Sequence, residues 1–128
     1  MPSIKACHLW NNTGIRLEAG RTYRMTATGR WHDAWNTCGP DGYKSNNPVL
    51  TWAGHWRRAP TQDWFVLMGT INQDTTTMFR IGSAAQITAA TTGTLYCFAN
   101  DVPGMYWNNW GSVDLTVTPT TPENLNPG

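Results

Sequence analysis

Leu95-Tyr96-Cys97-Phe98-Ala99-Asn100, then Asp101-Val102-Pro103-Gly104-Met105-Tyr106-Trp107-Asn108-Asn109-Trp110-Gly111, then Ser112-Val113-Asp114-Leu115-Thr116-Val117-Thr118, is the stretch that decides the fold. In its first part Leu95, Cys97 and Ala99 alternate with Tyr96, Phe98 and Asn100. In its last part Val113, Leu115 and Val117 alternate with Ser112, Asp114, Thr116 and Thr118. Successive side chains of a strand point to opposite faces, so this period of two predicts two strands, each with one buried face. The segment between them is polar, and Pro103-Gly104 marks a sharp reversal there. The chain therefore offers a loop carrying one carboxylate and several amides, held between two strands.

Working outward, the same pattern recurs. Tyr23, Met25 and Ala27 alternate with Arg24, Thr26 and Thr28, a further strand signal. Residues 3–9 predict a first strand, Asn11-Asn12-Thr13-Gly14 a turn, and Ile15 with Leu17 a short second strand. Ala19-Gly20 turns the chain again. Residues 31–60 are rich in Gly, Pro, Asn and Trp with little periodicity and are read as long loops. Residues 65–71, 77–81 and 86–90 predict further strands, separated by Asn72-Gln73-Asp74 and Gly82-Ser83. No stretch holds a helical period with caps. Many short strands with turn signals between them predict an all-β sandwich or barrel. The core is expected to draw on Tyr23, Met25, Leu95, Val113 and Val117. Residues 1–118 form the domain, and residues 119–128, with Pro119, Pro122 and Pro127, form a flexible tail.

The 128 residues suffice for one domain with a real core. A net charge of +1, with 13% of residues charged, gives no electrostatic footprint for nucleic acid or an anionic membrane. Arg57-Arg58 is the only basic doublet and reads as a solvated loop pair. No apolar run is long enough to span a bilayer, and the amino terminus lacks the pattern of a secretory signal. Three cysteines, Cys7, Cys38 and Cys97, leave at least one thiol unpaired. Cys97 shares the inward face with Leu95 and Ala99 and reads as a small buried hydrophobe. A Cys7–Cys38 pair is left open. The simplest compartment is the bacterial cytoplasm, with release outside by an unconventional route compatible with the low charge. Eight tryptophans are unusual in so short a chain. Most are expected to pack in the core and at its rim, whereas Trp107 and Trp110 flank Asn108-Asn109 in the polar loop.

Asp101, Asn108 and Asn109 offer hard oxygen acceptors, and a loop frees backbone carbonyls. Such oxygens suit calcium, which takes six to eight of them, whereas a transition metal wants imidazole or thiolate. The residues alone leave a second account open, in which the Asx side chains cap the turn through backbone hydrogen bonds. His8, His32 and His55 show no metal-ligand spacing. No nucleophile elbow and no phosphate-binding glycine loop occurs. A glycosidase needs two carboxyl groups facing one bond. Asp33 and Asp101 could form such a pair, but a shared cation explains two converging carboxylates equally well. The chain is not expected to be an enzyme.

The order Asn100-Asp101-Val102-Pro103-Gly104, then Tyr106, Asn108-Asn109 and Gly111, resembles the PA-I galactophilic lectins of bacteria, small calcium-dependent galactose binders. In that family the segment reads Asn-Asp-Val-Pro-Gly-x-Tyr-x-Asn-Asn-x-Gly, a long ungapped match. The similarity extends upstream through Ala19-Gly20, Ala27 to Gly29, Gly39-Pro40 and Gly42, and covers most of the chain. It implies a jelly-roll-like β-sandwich, galactose-binding-domain-like, of two four-stranded antiparallel sheets.

The resemblance also implies a site. Asp101, Asn108 and Asn109 stand where the relatives place side-chain calcium ligands. Met105 stands where they use the carbonyl of a threonine. Asp33 stands where they use the carbonyl of a tyrosine. Two vicinal sugar hydroxyls would complete the shell, with Asp101 and Asn108 accepting hydroxyl protons. The family's sugar-touching histidine is absent; Asn47, in Asn46-Asn47-Pro48, is the candidate contact instead. Trp107 replaces a glycine and Trp110 a small polar residue, so both are candidate sugar contacts that bear on which glycan is taken. The implied function is calcium-dependent binding of galactose or a related glycan by a homo-oligomer. The alternative is a structural or protein-interaction module of a larger assembly or toxin that keeps the fold but not sugar binding.

Overall fold

The computed structural model describes residues 1–45 and 53–120. Ten strands follow one another: β1 (Ser3–Lys5), β2 (Asn11–Leu17), β3 (Thr22–Asp33), β4 (Asn36–Cys38), β5 (Asp41–Tyr43), β6 (Trp64–Ile71), β7 (Asp74–Arg80), β8 (Ala84–Thr88), β9 (Gly93–Ala99) and β10 (Asn109–Pro119). Short 3₁₀ turns occupy Gly54–Trp56 and Pro103–Asn108. All pairings are antiparallel. One sheet runs β1-β10-β3-β4, with β8 also on β3; the other runs β2-β9-β6-β5, with β7 also on β6. The chain is thus an all-β sandwich, as expected.

Each sheet holds five strands among the described residues, where the resemblance implied four. The reason lies in the long central strands. β3 pairs along its length with β10, so its other edge is free for two short strands in tandem. β8 takes the end at Thr22–Thr26 and β4 the end at Trp31–Asp33. In the second sheet β5 and β7 likewise divide one edge of β6. Each sheet is still four positions wide.

Other boundaries also differ from expectation. The first strand stops at Lys5, because Asn11 reaches back to it: the Lys5 N–H donates to Asn11 Oδ1 at 2.9 Å, and Asn11 Nδ2 donates to the Lys5 carbonyl at 3.1 Å. Asn11 to Gly14, read as a turn, belongs to β2, with an irregular register between Asn12 and Arg16 that accommodates the glycine. Residues 31–60, read as long loops, contain the end of β3, all of β4 and β5, and a 3₁₀ turn. Pro103 opens a 3₁₀ segment, since proline's fixed φ suits a first helical position. Pro119 ends β10, and the Thr120 N–H still donates to the Thr22 carbonyl at 3.0 Å. The remainder of the expected tail, and Asn47 and Trp52, lie outside the described residues.

The core lies between the sheets. Met25, Leu17, Ile4, Leu67, Ile71, Leu95, Cys97, Val113 and Leu115 fill it, with Trp31 edge-on to Phe65 at 5.9 Å between ring centroids. The period of two is obeyed in β3 and β10, where Tyr23 and Val113 are buried and Val117, near the strand end, is only partly so; in β9 it breaks after Cys97, because Phe98 on the expected outer face is buried as well as Ala99. β6 is buried on both faces. Its outer face, Val66 and Met68, packs with Phe98 and Ala59 under Trp10 and Met78. Arg58 lies over this cluster, its guanidinium 3.5 Å from the Phe98 ring centre and 4.4 Å from that of Trp10. All three cysteines are free; Cys7 is exposed and Cys38 buried. No described helix is long and apolar enough to cross a membrane.

Candidate functional site

Three strand ends meet at one end of the sandwich. β3 finishes at Asp33 and β10 begins at Asn109, and these two residues are direct partners in the ladder. β9 ends at Ala99, two residues before Asp101. The polar loop is thereby anchored at both ends to the rigid sheet pair. The Ala34 N–H donates to the Asn108 carbonyl at 3.0 Å, tying the β3–β4 hairpin to the loop. Gly111, with φ +84°, passes close over Trp31 and His32, where a Cβ would lie 2.9 Å from the His32 ring and 3.2 Å from the Trp31 Cα.

Asn100 acts as the loop's internal brace. It is fully buried, accepts the Ala59 N–H at 2.8 Å and donates Nδ2 to the carbonyls of Ala59 (2.9 Å), Gln62 (3.2 Å) and Asp63 (2.9 Å). It therefore belongs to the architecture, holding the 59–63 segment against the polar loop.

Asp101 is 2% exposed. One carboxylate oxygen accepts the Val102 N–H at 2.7 Å and the other accepts Asn109 Nδ2 at 3.0 Å. Burial pushes its carboxyl up to about 7; those two hydrogen bonds oppose the rise, and the charge of Asp33 adds to it. Burial also raises the Asp33 carboxyl, opposed by the Tyr43 hydroxyl, which donates to Asp33 Oδ2 at 2.5 Å. The Tyr43 phenol is raised in turn, by burial first and then by Asp33 and Asp101.

The ion pairs seen among the described residues, Lys44–Asp63 and Arg80–Asp41, leave both Asp33 and Asp101 without a basic partner. A buried carboxylate with no counter-charge either keeps its proton or meets a cation. Two buried amide oxygens point the same way. Asn108 Oδ1 and Asn109 Oδ1 have no hydrogen-bond partner. The orientation of Asn109 is fixed, because its Nδ2 donates both to Asp101 and to the Ala6 carbonyl at 3.2 Å. Its Oδ1 is therefore an acceptor left over by a determined geometry. Carboxylates and spare amide oxygens are hard donors, the chemistry that suits calcium. No group of three or more His, Cys, Asp or Glu side chains converges among the described residues. Cys38, nearby, has its thiol pushed up to about 11 by burial and by Asp33, so it is not a thiolate at neutral pH.

A cleft of about 530 Å³ opens onto these groups, lined by Asp33, Asp101, Asn108 and Met105 and walled by Trp35, Trp56 and Trp64. The structure thus brings Asp33, Asp101, Met105 and Asn108 together on one cleft, with Asn109 buried behind Asp101. Trp107 and Trp110 do not line it. Trp107 is 78% exposed. Trp110 stacks on His32 at 3.5 Å between centroids and donates Nε1 to the Ala34 carbonyl at 2.9 Å, which braces the hairpin from outside. The sequence reading missed Tyr43, Trp35, Trp56 and Trp64. All of them fall in the 31–64 region that carries no period, and only its tryptophan content gave a signal.

No family model and no curated protein sequence matches the chain. A solved structure titled "EclA N-terminal domain; PllA-like lectin" does, with a TM-score of 0.70 over 92% of this chain and 93% of that one at 19% identity. At that identity the likeness is one of fold, and this chain shares a β-sandwich fold with a PllA-like lectin domain.

Proposed function

We propose that the protein is a calcium-dependent carbohydrate-binding lectin whose site is the Asp101 cluster. The observation that carries this is a buried, uncompensated carboxylate, Asp101, and the partnerless amide oxygen of Asn108 on one aromatic-walled cleft, with the partnerless amide oxygen of Asn109 beside Asp101. Side-chain oxygens of Asp101, Asn108 and Asn109 would hold the ion, with Asp33 and the Met105 carbonyl completing the protein's share. When bound, the ion supplies a chelation site for a vicinal diol, which gives a neutral sugar an affinity that hydroxyl hydrogen bonds alone would not. The shared fold with a domain titled a lectin supports the assignment. Galactose is the default sugar on the resemblance of residues 100–111. Trp107, exposed and outside the cleft, is proposed as an anchor for self-association, which raises avidity without new sugar contacts.

The test is a glycan array probed with calcium and again with chelator. Glycan signal that chelator abolishes supports the lectin. Calcium binding with no glycan signal supports an interaction module on the same fold. Turnover of a nitrophenyl glycoside would instead make Asp33 and Asp101 a catalytic pair.

A further inference from the structure

The cleft is larger than a single sugar ring requires. Its volume, about 530 Å³, falls within the range of about 300–1,000 Å³ that suits ligands well beyond a single pyranose ring. Besides the donor oxygens, the cleft is lined by Ala34, Trp35, Ala53, Trp56 and Trp64. Trp35 is 91% exposed and Trp56 54% exposed. Trp35, the more exposed of the two, offers an indole face that an apolar ligand face can cover.

The turn that carries Trp35 is fixed at its backbone. Trp35 sits at the tip of the β3–β4 hairpin beside Ala34, a non-glycine residue at φ +54°. Such a conformation persists only where the surroundings fix it. Here they do: the Ala34 N–H is bound by the Asn108 carbonyl, and its carbonyl by Trp110 Nε1. The indole is therefore carried on a turn fastened to the same loop that supplies Asn108. Among the described residues no basic side chain lines the cleft, and the charged ones that do are Asp33 and Asp101, so an anionic ligand is disfavoured there.

We infer that the site is extended: it takes a neutral oligosaccharide of at least two rings, the first at the Asp101 cluster and the next with its C–H face stacked on Trp35. This rests on the carbohydrate reading above. The test is calorimetric titration, in calcium, of the methyl glycosides of galactose, glucose, mannose and fucose. Disaccharides that end in each sugar, in α and β linkage, and the matching phenyl glycosides are then titrated alongside. At least one disaccharide should bind about tenfold more tightly than its methyl glycoside. Trp35→Ala should remove most of that gain, leaving calcium affinity in the absence of glycan within about twofold of wild type. Trp35 is solvent-exposed, so the variant keeps its fold. Disaccharides no tighter than methyl glycosides, or a Trp35→Ala loss equal for both, would overturn the extended site while the lectin stands. A gain seen with phenyl glycosides alone would overturn the second sugar ring. Calcium bound tightly with no glycoside of any kind bound would remove the carbohydrate reading itself.

Discussion

Replacing Asp101 by Asn separates a cation ligand from a turn cap, because the two roles predict opposite signs without metal. At pH 8 the wild-type carboxylate is ionised although buried and unpaired. The gap between its ordinary value of 3.8 and about 7 corresponds to a destabilisation of about 4 kcal/mol. Asparagine removes that cost. It keeps an acceptor for the Val102 N–H but turns an amide donor toward Asn109 Nδ2, at a cost of about 1–3 kcal/mol. Metal-free Asp101→Asn should therefore be more stable than metal-free wild type by about 1–3 kcal/mol. At roughly 4 °C per kcal/mol for a chain of this size, that is a rise of about 4–12 °C in Tm. Calcium reverses the order. At a hundred times Kd it should stabilise wild type by about 2.7 kcal/mol, roughly 10 °C, and leave the variant unmoved. Differential scanning fluorimetry in chelator and in a calcium series reads all four values. A variant that melts lower than wild type in both conditions would show that Asp101 is only a cap. A wild-type Tm indifferent to calcium would end the metal hypothesis.

Four further outcomes follow. Because the folded value of Asp101 lies above the unfolded one, its contribution to metal-free stability, read as the difference between wild type and Asp101→Asn, should be most favourable below about pH 4. It should fall as pH rises toward about 7 and then level off, so calcium should stabilise strongly above pH 7 and weakly below pH 5; urea melts across pH check this. Asn100→Ala removes four hydrogen bonds in a fully buried place and should cost about 3–5 kcal/mol in urea unfolding, with glycan affinity lowered as the 59–63 segment loosens. Gly42→Ala puts a Cβ against the Trp64 carbonyl and 2.7 Å from the Val66 nitrogen at φ +72°, and should cost at least about 3 kcal/mol, read as a fall in the urea midpoint. Light scattering should show an oligomer that Trp107→Ala weakens; a wild-type monomer at high micromolar concentration would remove self-association but not glycan binding.

The sandwich was legible wherever one face of a strand is buried, because burial writes a period of two. Tyr23, Met25, Leu95, Val113 and Leu115 all show it and all enter the core. β4 and β5 were illegible because three residues cannot display a period. Their places are set by pairing with β3 and β6, far away or across a hairpin. β2 was half hidden because Asn11 and Asn12 have turn chemistry, yet Asn11 spends its side chain on Lys5 and Cys97. The polar loop was legible as a cluster of donors, and the β10–β3 register explains why Asp33 joins it from residues away in sequence. The aromatic wall was not: tryptophans were expected mostly in the core and rim, whereas Trp35, Trp56, Trp107 and Trp110 are exposed. Which indoles face a cleft depends on how a hairpin tip and a 3₁₀ turn converge in space, and nothing local encodes that.

The central claim is that one ion and one sugar share a site, and reciprocity tests it directly. The measurement is the calcium Kd of chelator-stripped protein, by tryptophan fluorescence or calorimetry, without glycan and at saturation with the best array ligand. If the ion carries the sugar, calcium should bind more tightly with glycan by the same factor that calcium raises glycan affinity, since coupling between two ligands is symmetric. A calcium Kd unchanged by saturating glycan would contradict the account and place the two ligands at separate, uncoupled sites.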